Sequence, residues 1–370
     1  MCINKKRIAI LDTSVAPTGA FNSALVLYDS LKLQYPIVIF VPNDSVILEQ
    51  EHSCYSFGSY SYPRVKKNLK SVLTYLPMSL YAAYKLSKQL KGYDLVILND
   101  FNNLTGYLLK IFRPSMKIIT FFRLITSKAP RLLTLVYLSL CRLFSNRNVA
   151  ISKSVAKELT SLKNLRLIYN SLPCDINHSI SFFSKKDNSQ LKMVYIGNYM
   201  PGKGQKEALE AFLQIKNTNA TLSFYGGDMG LRKNKDFKDS LVKLAGDKLD
   251  RTVFFNGFME KPYVELLGYN VLLNFSRSES FSRTCLEGSF SKLAVIATKC
   301  GGPEEIVEDK VTGLLVDVGD ITKMKESMQI FIDDPDLAKQ YGINGNSRVN
   351  KLFSYSVFSE NVHKLILSLH

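Results

Sequence analysis

The sequence lacks paired cysteines, a membrane-length apolar run, a balance of acid against base, and all but a few histidines. Each absence removes a class of function. Its six cysteines (Cys2, Cys54, Cys141, Cys174, Cys285, Cys300) show no CxxC pair and no regular spacing, which excludes a zinc ribbon and a disulfide framework and leaves reduced thiols in a cytosolic protein. The most apolar stretches, 71–84 and 132–141, are broken by Pro77 and closed by Arg142, short of the roughly 18–20 residues that span a bilayer. No transmembrane helix is expected. The amino terminus passes through Lys5, Lys6 and Arg7 into an apolar run too short for a signal peptide, whose apolar region needs about 7–15 residues. Histidine occurs only at 52, 178, 363 and 370, none in a loop suited to catalysis. Neither the GK[ST] of a P-loop nor the GxGxxG of a dinucleotide fold occurs.

What is present begins with length and charge. The chain has 370 residues, 46% of them hydrophobic and 22% charged, an ordinary composition for two globular domains. Lys and Arg number 48 against 32 Asp and Glu, a net +16. Residues 1–180 hold 23 bases and 9 acids, so +14 of the surplus belongs to the first half and +2 to the second. Two stretches of that half, 64–91 and 101–157, contain no acid at all. A surplus so placed calls for an anionic partner.

Short β-branched runs alternate with helical patterns from Arg7 onward, the rhythm of parallel sheets covered on both faces. A polar patch, 174–190, interrupts it, and the rhythm restarts at Leu191. The expected architecture is α/β: a Rossmann-like domain over 1–175, a linker over 176–190, and a second doubly wound domain over 191–355. A terminal helix, 356–370, is expected outside the second sheet. Two such domains facing each other leave a cleft at the carboxyl ends of their strands, where open α/β sheets bind ligands.

Two loops of the second half lie between a strand and a helix. The first runs from Gly197 through Asn198, Gly202, Lys203 and Gly204; its glycines, mobile cation and helix start suit a phosphate, though a turn with a solvated lysine reads the same way. The second, 276–287, places the Ser282–Cys285 amides and Arg283 at another helix start, between Glu279 and Glu287. A carboxylate beside a diphosphate repels it, but its two oxygens accept the paired hydroxyls of a sugar. The pair therefore reads either as a sugar on each side of a diphosphate or as solvated surface.

Together these motifs resemble a family. Glu279 and Glu287 eight apart, Lys203-Gly204, Gly226-Gly227-Asp228, Gly257-Phe258, and the run Gly301-Gly302-Pro303-Glu304-Glu305 before Gly313 are similar in order and spacing to the retaining glycosyltransferases of family 4, or glycosyl transferases group 1. The resemblance covers about 195–320 and implies the GT-B fold, two Rossmann-like domains facing a central cleft. It implies that Lys203 meets the donor diphosphate, Glu279 the hydroxyls of the transferred sugar near the Phe281 and Ser282 amides, and Glu287 the ribose. Thr284 and Cys285 would meet phosphates, Gly257 and Phe258 the base, and Gly19 of the other domain the diphosphate. Asn198 stands where the family commonly has Arg, a loss that Arg283 or Lys206 offsets. The usual Gly and Pro are Lys292 and Ala294, the usual acid before the preceding strand is Asn270, and Phe122 or Arg123 occupies the loop that often carries a histidine. Asp100 and Arg123 are the candidate acceptor contacts.

The activity so implied is retaining transfer from a nucleotide-diphosphate sugar to a saccharide acceptor in bacterial surface polysaccharide synthesis (O-antigen or capsule). The leaving phosphate takes the hydroxyl proton, Lys203, Arg283 and Glu279 act catalytically, and no metal or other cofactor is needed. Asp333, Asp334 and Asp336 superficially mimic a metal motif but fit a helix cap. Around residues 64–91, Val65, Leu69, Val72, Leu73 and Leu76 with Lys66, Lys67 and Lys70 form either a basic amphipathic helix on anionic lipid or a solvated face over a core. The first reading makes the acceptor lipid-linked and the protein peripheral on the cytoplasmic face of the inner membrane. A non-catalytic sugar-nucleotide-binding partner and a nucleic-acid-binding module are the alternatives; no recognisable motif supports the latter, so no nucleic-acid partner is expected.

Overall fold

The computed structural model describes residues 6–49, 54–64, 69–128, 130–173, 190–216, 219–259 and 262–369. The chain divides into two compact units, 1–173 with 355–370, and 174–354. The expected linker therefore lies almost wholly outside the described residues, as do Val65, Lys66 and Lys67.

In the first unit seven strands, β1 (Ile8–Leu11), β2 (Ile37–Pro42), β3 (Phe57–Tyr60), β4 (Leu95–Leu98), β5 (Lys117–Phe122), β6 (Arg147–Ala150) and β7 (Leu165–Leu167), form one parallel sheet ordered β3-β2-β1-β4-β5-β6-β7. The central strands β1 and β4 are buried on both faces, which is why they are written as unbroken aliphatic runs. Helices α1 (Gly19–Leu31), α2 (Leu69–Gln89), α3 (Leu104–Phe112), α4 (Arg131–Phe144) and α5 (Lys153–Glu158) connect them. Thr18, Asn103 and Ser152 cap α1, α3 and α5 with their side chains.

The second unit repeats the plan. Its strands β8 (Leu191–Ile196), β9 (Ala220–Tyr225), β10 (Val253–Asn256), β11 (Val271–Asn274), β12 (Ala294–Thr298) and β13 (Gly313–Val316) pair in parallel in the order β10-β9-β8-β11-β12-β13. The helices are α6 (Gln205–Leu213), α7 (Arg232–Ala245), α8 (Pro262–Glu265), α9 (Arg283–Phe290), α10 (Pro303–Ile306), α11 (Ile321–Asp333) and α12 (Pro335–Leu352). Met193, Tyr195, Phe224, Phe275, Met324 and Phe331 anchor a core between sheet and helices. In each sheet the strand order reverses between two neighbours, β1 and β4 or β8 and β11, so the loops leaving their carboxyl ends diverge and open a crevice.

Three features depart from or refine the sequence reading. Strand β3 was not anticipated. The terminal helix α13 (Tyr355–Leu367) does not cover the second sheet; it packs against α1 of the first unit, burying Phe358, Val362, Leu365 and Ile366. Arg147 fastens it by hydrogen bonds to the Ser368 hydroxyl, at 3.1 Å, and to the Ser368 carbonyl. Asp334 caps α12, its Oδ1 accepting the Leu337 N–H at 2.9 Å, the role expected in place of metal binding.

Candidate active site

The loops after β8 and β11 emerge side by side at the second switch point, because these strands pair directly. In the β8 loop, Tyr199 is buried and Gln205 folds back, donating to the carbonyls of Gly197 (3.3 Å) and Asn198 (2.9 Å). Gly202 and Gly204 have φ of 90° and 84°. At Gly204 a Cβ would fall 2.2 Å from the Phe275 carbonyl oxygen, so only glycine lets the start of α6 lie against the end of β11. Lys203 stands between these two glycines, its carbonyl bonded by the Tyr195 hydroxyl, which itself accepts the Phe275 N–H at 2.8 Å.

That close approach brings Lys203 and Glu279 together. Lys203 Nζ lies 2.7 Å from Glu279 Oε1, and the same oxygen accepts the Ser276 hydroxyl at 2.8 Å. The main chain of Glu279 runs strand-like beside Gly301: its N–H donates to the Cys300 carbonyl at 3.3 Å and its carbonyl accepts from Gly302 N at 2.8 Å. A side chain at Gly302 would put its Cβ 2.4 Å from Phe281 Cα, and Gly301 before it has φ 117°, so each of the paired glycines before α10 has its own reason.

A second ion pair stands one helical turn along α9. Arg283 Nη2 lies 3.3 Å from Glu287 Oε1. Burial pushes the Glu287 carboxyl above the usual glutamate range, while the charge of Arg283 and hydrogen bonds from Arg283 and Tyr263 oppose that rise. Arg283, expected to serve the diphosphate with Lys203, has its guanidinium paired with Glu287. Tyr263, on the one-turn helix α8, was not anticipated, and nothing in its loop composition marks it. The Cys285 N–H, expected to face a phosphate, is donated to the Ser282 hydroxyl at 3.4 Å, and burial raises the Cys285 thiol well above its ordinary range. Gly257 accepts from Gly226 N at 3.0 Å, and the adjoining Phe258 ring, 69% exposed, covers Gly227.

Two departures from the family pattern have local explanations. Asn270 Oδ1 accepts the Lys192 N–H at 2.9 Å, the bond an acid there would make, and Lys292 occupies a left-handed turn, φ 60°, where glycine is usual.

The remaining candidates lie in the first unit, where Gly19 begins α1. Asp100 ends the β4 run with its Oδ1 accepting the N–H groups of Phe101 (2.8 Å) and Arg123 (3.4 Å). Burial raises its pKa to about 6, against those two bonds and the Arg123 charge. Arg123 is only 4% exposed and turned inward: Nε donates to Asn99 Oδ1 at 2.7 Å and Nη1 to Asn170 Oδ1 at 2.8 Å, with the guanidinium over the Phe121 ring. This geometry braces Asn99 against Asn170. Among the described residues no three His, Cys, Asp or Glu cluster as metal ligands, and no helix is long and apolar enough to cross a membrane.

Residues 177–348 match the family described as glycosyl transferases group 1. The alpha-1,3/1,6-mannosyltransferase ALG2 of Dictyostelium discoideum is 32% identical over 189 residues, which is 47% of this chain and 45% of that protein, so the chain spans about half the length of such curated relatives. The N-acetyl-alpha-D-glucosaminyl L-malate synthase of Bacillus anthracis is 24% identical over 316 residues, 79% of this chain and 80% of that one. Among solved structures, Anabaena HepE in complex with UDP and glucose superposes with a TM-score of 0.81 at 18% identity, covering 98% of this chain and 100% of its own. The two parallel-sheet units are those of the GT-B fold, and residues 177–348, within the second of them, match the glycosyl transferases group 1 family.

Proposed function

We propose that the protein transfers a hexose or related sugar, with retention of anomeric configuration, from a nucleotide-diphosphate sugar to a saccharide acceptor. The observation that carries this reading is the Lys203–Glu279 pair at 2.7 Å, joined across two loops that glycine alone allows to meet. A diphosphate arriving at Lys203 brings its sugar hydroxyls to Glu279, while Glu287, paired with Arg283, accepts the ribose diol and the exposed Phe258 ring meets the base. The Anabaena HepE complex, with UDP and glucose, contains the same two kinds of ligand. Lys203 and the start of α9 stabilise charge growing on the departing diphosphate, whose oxygen takes the acceptor proton; in this scheme no metal is required.

For the acceptor, we read a lipid-linked saccharide of a bacterial surface polysaccharide, met at the cytoplasmic face of the inner membrane. Support comes from the two acid-free, basic stretches of the first half, 64–91 and 101–157, and from the exposed leucines of α2 and α4.

Incubation of the purified protein with UDP-, GDP- and dTDP-sugars and saccharide acceptors tests the proposal. Lys203→Ala, Glu279→Ala and Glu287→Ala each lower transfer by about 10²-fold or more with the fold intact. Full activity in Lys203→Ala rejects the donor-site assignment, and NMR showing an inverted anomeric centre rejects retention. Nucleotide-sugar binding without turnover on any acceptor favours the non-catalytic alternative.

A further inference from the structure

Ser282, the residue before α9, has φ 57° and ψ 81°. This left-handed conformation favours glycine, because a Cβ crowds the backbone there. Yet the serine is almost fully buried and its hydroxyl is engaged. The partner is Asn274, the last residue of β11, also buried. Its Nδ2 donates to Ser282 Oγ and to Thr284 Oγ1, both at 2.9 Å, and its Oδ1 accepts the Ser276 N–H at 3.2 Å. The orientation of the amide is fixed by chemistry, since a main-chain N–H can face only the oxygen.

One side chain thus ties both ends of the loop 276–284. Between those ends lies Glu279, itself bonded to Ser276. Leucine at 274 would leave the Ser276 N–H and two hydroxyls without this partner, and aspartate would keep the first bond while losing the two donated ones.

We propose that Asn274 is a positioning residue that holds Ser282 in its left-handed turn and so fixes the donor-binding loop carrying Glu279 and the first amides of α9. The proposal rests on the donor-site reading given above. It makes a specific demand: the bond to Ser282 matters because residue 282 is not glycine, so a glycine there must relieve the dependence on Asn274.

The test is a double-substitution cycle of wild type, Asn274→Ala, Ser282→Gly and the combined variant, each checked for folding by thermal melt. Two readouts are taken: affinity for UDP, GDP, ADP and dTDP by calorimetry, and amide hydrogen exchange over 276–286. Asn274→Ala in the wild-type background is expected to weaken nucleotide binding by about tenfold or more and to speed exchange over 276–286. In the Ser282→Gly background the same substitution is expected to cost less than about threefold and to change exchange little. Equal losses in both backgrounds, or none in either, overturn the proposal. Wild-type protein that binds none of the four nucleotides overturns the donor-site reading instead, and the exchange cycle then decides the Asn274 proposal by itself.

Discussion

Asp100 sits at the carboxyl end of the β4 run with 8% of its surface exposed, and two main-chain N–H groups do not compensate for the loss of water. Its pKa rises from 3.8 to about 6, with desolvation the largest cause and the charge of Asp12 adding to it. The folded chain therefore holds this proton more tightly than the unfolded chain, so its contribution to stability falls as pH rises from about 4 to about 6. Asp100→Asn keeps an acceptor oxygen for Phe101 and Arg123 but carries no charge to bury. It should stabilise the first unit by about 1–3 kcal/mol at pH 7.5 and make almost no difference at pH 4. Urea melts of both proteins at the two pH values test this, and an asparagine variant no more stable than wild type at pH 7.5 rejects it. Gly204 offers the opposite sign. Because its added Cβ would meet the Phe275 main chain and not the tip of a flexible side chain, Gly204→Ala must separate α6 from β11. The expected result is a lower melting temperature together with at least a tenfold loss of transfer, since Lys203 moves away from Glu279. A variant retaining wild-type melting and activity would show that the close approach is dispensable.

Among elements, the strands buried on both faces were legible in the residues, as were the edge strands β7, β10 and β13, whereas the edge strand β3 was not. Strands β1 and β4 are continuous aliphatic runs, and β11 runs Val271-Leu272-Leu273, because water reaches neither side. Strand β3 is Phe57-Gly58-Ser59-Tyr60, an edge strand with β2 as its only neighbour among the described residues. Its glycine is there because the Phe40 ring lies 2.7 Å from where a Cβ would stand, a demand no local pattern reveals. Helix α13 advertises an apolar face, but its destination depends on Arg147, 221 positions from Ser368. The site divides the same way. Lys203 and Glu279 are readable from strand, loop and helix order, whereas Asn274 matters through side-chain bonds across a loop. Arg123 was legible as a cation, but not the direction it points. The docking of α13 yields a prediction of its own: removal of 355–370 uncovers α1, which lines the first sheet. Faster amide exchange in β1 and β2, with β8 and β11 unchanged, is expected; a loss of protection confined to the second sheet contradicts the observed packing.

For the molecule as a whole, the excess charge is a matter of place. Of the net +16, the first 180 residues hold +14, and the donor loops work with paired charges that cancel, Lys203 with Glu279 and Arg283 with Glu287. In the first unit, α2 and α4 are linked by a hydrogen bond between the Tyr75 and Tyr137 hydroxyls at 2.9 Å. They leave Leu73, Leu76, Leu132 and Leu143 between 52% and 76% exposed, close in sequence to Lys85, Lys88, Arg131 and Arg142 and with no acid in either helix. The membrane surface proposed above would account for both features. Apolar side chains gain about 25 cal/mol per Å² on leaving water, and each base near an anionic leaflet adds about 1 kcal/mol. The two contributions separate with salt, because the screening length shrinks from about 10 Å at 0.1 M to about 3 Å at 1 M while apolar insertion is unaffected. The full chain is expected to sediment with phosphatidylglycerol vesicles at low salt, to be partly released at high salt, and to ignore neutral phosphatidylcholine vesicles. Lys85→Glu with Lys88→Glu should remove the salt-sensitive fraction, and Leu132→Ser with Leu143→Ser the salt-resistant one, with transfer to a soluble saccharide acceptor unchanged in both. Equal binding to neutral and anionic vesicles, or none to either, would reject the membrane reading and leave the basic surface to another anion.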